Sequence, residues 1–115
     1  DLRREYEDLR REYEDLRRPF NVTSDVPYTD VWTFKTVQAY PGKHVCEKPL
    51  ALMEHIILAS TKPGAIVFDP FMGSGSTGVA CVLNGRSFIG CEMDAKHFKN
   101  ASDRIAKSET QPRLL

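Results

Sequence analysis

The stretch DPFMGSGSTG, from Asp69 to Gly78, limits the folds open to this chain more than any other feature. It follows a continuous apolar run, Ala65-Ile66-Val67-Phe68, of the kind found in strands covered on both faces. Gly73, Gly75 and Gly78 satisfy G-x-G-x-x-G in the setting that gives the pattern meaning, just after a strand and opening a helix. The helix is predicted from about Ser76 to Leu83, with Asn84-Gly85 as its stop. A second strand is predicted over 87–91, leading into Glu92, and an amphipathic helix over 95–107. Strand, helix, strand, helix predicts a parallel βαβ unit of an α/β, Rossmann-like fold.

Glycines in such a turn let backbone N–H groups approach a nucleotide-like ligand, and Glu92, after the second strand, is placed to accept from two ribose hydroxyls. Asp69 bears on which nucleotide. A dinucleotide presents a pyrophosphate to the helix amino end, where a neighbouring carboxylate repels it. S-adenosylmethionine carries no phosphate; its sulfonium and ammonium suit Asp69, and its carboxylate suits the donors around Ser74, Ser76 and Thr77. A NAD-binding unit is therefore the weaker alternative, and without GK[ST] a P-loop is disfavoured.

Residues 1 to 21 are three copies of a heptad, DLRREYE, DLRREYE and DLRRPFN, which Pro19 ends. Leu2, Tyr6, Leu9, Tyr13, Leu16 and Phe20 alternate spacings of four and three and line one helix face. Glu7 with Arg11 and Glu14 with Arg18 stand in the favourable i to i+4 order. So short a helix needs a partner surface, either its own domain, which we expect, or a second chain or DNA. A non-catalytic module assembled through this helix is the second functional reading. Residues 21 to 48 form a linker rich in turn formers with one β-prone run, Val31-Trp32-Thr33-Phe34. Pro49 suits a first helical turn, and Leu50, Leu52, Met53, Ile56 and Ile57 form a broad apolar face that Lys62-Pro63-Gly64 ends.

Composition closes off several classes. Sixteen basic and sixteen acidic residues cancel, so DNA binding cannot be argued from bulk charge. Cys46, Cys81 and Cys91 show no CxxC spacing and are expected to be buried reduced thiols. His44 with Cys46 lacks a second ligand pair, so no metal site is expected. No run approaches the roughly 20 apolar residues that span a bilayer, and a cytoplasmic bacterial or phage-encoded protein is expected.

DPFMGSGSTG closely resembles the cofactor motif of DNA adenine-N6 and cytosine-N4 methyltransferases. His44-x-x-x-Lys48-Pro49-Leu50 resembles their preceding motif, H-P-x-x-K-P, with Val45 in place of proline. The resemblance covers about residues 19 to 107. It implies a doubly wound sheet with Asp69, Phe71, Gly73, Gly75, Ser76, Thr77 and Glu92 around S-adenosylmethionine, supported by His44, Lys48 and Pro49. It also implies double-stranded DNA as partner, restriction-modification as setting and a flipped target base. The family's base-holding tetrapeptide, D/N/S-P-P-Y/F/W, is missing; Asp25-Val26-Pro27-Tyr28 has valine for the first proline and reads as a decoy. The expected organisation is therefore the carboxyl-terminal portion of a longer enzyme, with no catalytic residue of its own. It comprises a heptad helix (1–20), a linker or part of a recognition region (21–48), the cofactor-binding βαβ part (49–107) and a tail (108–115). A homodimer through the heptad helix also fits.

Overall fold

The computed structural model describes residues 1–17 and 31–111. The third heptad beyond Arg17, the Glu14–Arg18 pair, the Asp25-Val26-Pro27-Tyr28 segment and the end of the tail lie outside these residues. The chain divides into two compact units, residues 1–32 and 33–115.

The described part of the first unit is dominated by α1, Leu2–Arg17. Asp1 supports its start by accepting from the Arg3 N–H at 3.2 Å. The ion pairs are Arg3–Glu7 at 3.4 Å and Arg10–Glu14 at 3.0 Å, and Glu14 holds the Arg10 guanidinium above its ordinary pKa. The expected Glu7–Arg11 pair is replaced because Glu7 is engaged from its amino-terminal side. Exposed pairs of either register differ by only a few tenths of a kcal/mol, so small rotamer preferences decide between them. Within this unit the seam side chains Leu2, Tyr6, Leu9, Tyr13 and Leu16 are each more than half exposed, from 84 % at Leu2 to 56 % at Leu16.

The strand expected at Val31-Trp32-Thr33-Phe34, a run that spans the boundary into the second unit, is not formed: it makes no ladder with any described strand, and β propensity alone cannot hold one. The ordered elements are α2 (Leu50–Ser60), β1 (Ile66–Asp69), α3 (Ser76–Leu83), β2 (Ser87–Gly90) and α4 (Ala95–Glu109). Pro49 caps α2 from just outside it, φ −58° and ψ 132°, a residue earlier than expected. The strands pair in parallel, Ile66 with Ser87 through Asp69 with Gly90. This is the βαβ unit, and its helix α3 is the structural centre, packed on α2, α4 and β2.

The core is formed by Met53 and Ile57 of α2 and Ala80 and Cys81 of α3, with Val67 and Phe88 of the strands turned towards them. On the other strand face Ile66, Phe68 and Ile89 are exposed, so the described residues cover one side only of a sheet whose sequence is apolar on both. Of the cysteines only Cys81 is buried, and burial pushes its thiol pKa up; Cys46 and Cys91, expected to be buried, are exposed, because neighbouring apolar residues in sequence do not decide which way a loop side chain turns.

Arg86, 9 % exposed, joins two helix ends. Its Nη2 donates to the Thr61 carbonyl at 2.7 Å, Nε to Thr61 Oγ1 at 3.0 Å and Nη1 to the Asn84 carbonyl at 2.6 Å. Carbonyls at helix carboxyl ends lack intrahelical donors, and a buried guanidinium supplies them. No helix among the described residues is long and apolar enough to cross a membrane.

Candidate functional site

The loop from Asp69 to Gly75 turns the chain from β1 into α3 at the carboxyl end of the sheet. Asp69 Oδ1 accepts from the Phe71 N–H at 3.0 Å, which bends the chain immediately after the strand. Gly75 caps α3 in the left-handed region, φ 80°, and a Cβ there would stand 3.1 Å from Ala101 Cβ of α4. Gly78 is needed for closeness: a Cβ would lie 2.5 Å from Ile105 Cδ1 and 2.7 Å from the Phe88 ring. Gly75 and Gly78 thus let α3 press against α4, and Gly78 lets it press against β2 as well.

Glu92 is tied to this turn. Its Oε2 accepts from the Gly73 N–H and its Oε1 from the Asp94 N–H, both at 3.0 Å. These amides, Asp94 first, hold its carboxyl below the usual range against the opposing effect of burial, and the nearby imidazoles of His44 and His97 add to the lowering. The His97 amide likewise lowers the pKa of Asp94, whose Oδ1 accepts from it at 2.9 Å and caps α4. Each Glu92 oxygen keeps a lone pair for an outside donor while the glycine turn orients it.

His44 Nδ1 accepts from the Cys46 N–H at 3.0 Å. Its ring meets that of His97 edge-on, centroids 4.4 Å apart, and lies where a Cβ on Gly73 would contact it at 3.5 Å. The two sequence motifs therefore meet through His44 and Gly73. They meet again where the Ser76 hydroxyl donates to the Lys48 carbonyl at 3.0 Å.

Residues of both motifs line one cavity of about 140 Å³, among them Lys48, Met53, Asp69, Phe71, Gly73 and Thr77. Asp69 and Lys48, residues of opposite charge, both border it. Asp69 Oδ2 has no hydrogen-bond partner among the described residues, and the Phe71 ring is 88 % exposed at the rim. Ser76 also borders the cavity, as a residue only 4 % exposed whose hydroxyl is engaged within the chain. Thr77 Oγ1 rests 3.6 Å from the Met53 sulfur. Pro49 sets the start of α2, the helix that carries Met53 to the cavity.

Sequence reasoning missed a group beside this cavity. Arg104 of α4 donates from Nη1 to Ser76 Oγ at 3.0 Å and to the Ser74 carbonyl at 3.2 Å, and lies 3.6 Å from Glu47 Oε1. The Tyr40 hydroxyl also donates to Glu47, a bond that raises the Tyr40 pKa. The available signal was an arginine in the inward stripe of α4, with Ala101 and Ser108 buried on either side of it.

Comparison with known proteins agrees with this geometry. The family model described as DNA methylase matches residues 2–103. The type II methyltransferase M2.DpnII of Streptococcus pneumoniae is 48 % identical over 85 residues, covering 70 % of this chain and 32 % of the relative. The DNA adenine methyltransferase YhdJ of Escherichia coli K12 is 42 % identical over 79 residues, covering 66 % and 27 %. The crystal structure of the M1.HpyAVI–SAM complex superposes with a TM-score of 0.65 at 42 % identity, covering 75 % of this chain and 43 % of that one. TTHA0409 of Thermus thermophilus, solved with S-adenosyl-L-methionine, gives a TM-score of 0.53 at 27 % identity, covering 87 % and 34 %. The chain spans about a third of the length of the curated relatives it matches. With its two motifs joined at one cavity and the family match running along nearly its whole length, the chain belongs to the DNA methylase family.

Proposed function

We propose that this chain is the S-adenosylmethionine-binding part of an enzyme that methylates the exocyclic amine of adenine or cytosine in double-stranded DNA. The observation that carries the reading is that Asp69 and Lys48, residues of opposite charge, line the same cavity. An amino-acid zwitterion fits it, its ammonium on Asp69 and its carboxylate on Lys48. At about 140 Å³ the cavity takes the methionyl end only, since whole-ligand pockets begin near roughly 300 Å³. The adenosine then lies towards Glu92, whose open lone pairs suit ribose hydroxyls, with the exposed Phe71 ring packed over the ligand. His44, Gly73, Gly75, Ser76 and Pro49 shape the walls, and Thr77 borders them.

When bound, the cofactor supplies a methyl group activated by its sulfonium. The residues of this chain bind and orient it and keep its charged end from water. The family's base-holding tetrapeptide is absent from the sequence, so the 115 residues hold the methyl donor without using it. Calorimetric titration with S-adenosylhomocysteine is expected to give binding that Asp69→Asn weakens about tenfold, a loss of about 1.4 kcal/mol. A radiolabelled methyl-transfer assay on DNA is expected to show no turnover. Binding of NAD in place of S-adenosylhomocysteine would overturn the reading.

The exposed seam of α1 supports self-association through that helix, with leucine and tyrosine knobs from two copies interlocking. Sedimentation is expected to find a dimer that Leu9→Ser dissociates.

A further inference from the structure

We infer that Arg104 is a positioning residue for the cofactor cavity, locking its two walls together from outside; the inference rests on the cofactor reading above. Arg104 and its partner Glu47 do not line that cavity. One nitrogen of the guanidinium nevertheless reaches both sides. From α4 it holds the glycine turn through the Ser74 carbonyl and Ser76 Oγ, and it faces the Glu47 carboxylate, one residue before Lys48.

Ser76 completes the connection by donating to the Lys48 carbonyl while accepting from Arg104. The Glu47 side chain is 4 % exposed and the Arg104 side chain 34 %. A carboxylate so enclosed needs its partners, and it has two, Arg104 and the Tyr40 hydroxyl. The network therefore has a defined geometry and not the loose one of a surface pair. Lysine carries the same charge on a compact ammonium with no fixed plane, so it holds the turn and the carboxylate together less firmly than the guanidinium does. Supporting residues of this kind decide whether a binding group stands where the ligand needs it.

Two measurements on the 115-residue chain test the inference. The first, hydrogen exchange without ligand, reads positioning alone. Arg104→Ala is expected to speed exchange about tenfold at amides 45–48 and 74–77 while leaving those of β1 and β2 unchanged. The second, S-adenosylhomocysteine titration, is expected to show about tenfold weaker binding for Arg104→Ala and about threefold for Arg104→Lys and Glu47→Gln. Unchanged exchange in both segments overturns the inference, as does loss of strand protection in step with them, which marks a merely structural role. Should Arg104→Ala not fold, Arg104→Lys decides in its place, and wild-type exchange and affinity in that variant overturn the inference. If the wild-type chain ignores S-adenosylhomocysteine while the exchange changes appear, the cofactor reading fails and Arg104 remains the lock between turn and loop.

Discussion

Helices α1 and α3 stand at opposite ends of the range this chain contains. The first has 16 residues, and every side chain from Leu2 to Leu16 is exposed; the second has eight and buries five, Ser76, Gly78, Val79, Ala80 and Cys81. Helix α1 is written in local terms: a heptad period, good helix formers and charge pairs four residues apart. Helix α3 is too short to stand alone and contains a glycine, a serine and β-branched residues that disfavour helix. It exists because α2, α4 and β2 surround it. One helix is specified by its own local pattern, and the other by what it meets.

The comparison breaks or sharpens at identifiable residues. The largest effect is expected at Ile57, 3 % exposed in the α2–α3 core: Ile57→Ala should lower the urea-unfolding free energy by about 3 kcal/mol. Next is Gly78→Ala, whose methyl must displace Ile105 and the Phe88 ring; urea melts should show about 2 kcal/mol lost despite alanine's higher helix propensity. Arg86→Met should cost about 1 to 2 kcal/mol in the same measurement, because the carbonyls of Thr61 and Asn84 lose their donor. A smaller effect is expected from pH. Glu92 and Asp94 have carboxyls held below their ordinary values, so their contribution is complete above the unfolded pKa and is lost as pH falls through the folded one. Stability measured from about pH 6 to about pH 3 should fall, and fall less steeply in Glu92→Gln. The smallest effect is expected in α1: at concentrations where the chain is monomeric, Leu9→Ser should change the unfolding free energy by less than about 0.5 kcal/mol. A loss there comparable to that of Ile57→Ala would remove the contrast.

Where the signal was local, the sequence could be read closely. The bounds of α3 and the start of α4 followed from caps and hydrophobic periods. Where a structure depends on partners, reading failed. Val31-Trp32-Thr33-Phe34 has the composition of a strand but forms no ladder with any strand among the described residues. Cys46 and Cys91 sit near apolar residues yet face outward. The partners of the Ser76 hydroxyl, the Lys48 carbonyl and Arg104, were likewise not legible in the sequence.

By itself the sequence of this protein determined the order of its elements, the βαβ unit and the place of the glycine turn, because turn chemistry and hydrophobic period act within a few residues. Only the tertiary structure decided which polar groups point into the cavity and which hold its walls. Ser76 finds Lys48 across 28 positions and Arg104 finds Ser74 across 30, and such pairings arise only when α2, α3 and α4 pack together. No local pattern encodes them, since a hydroxyl or guanidinium has the same sequence whether it faces ligand or protein.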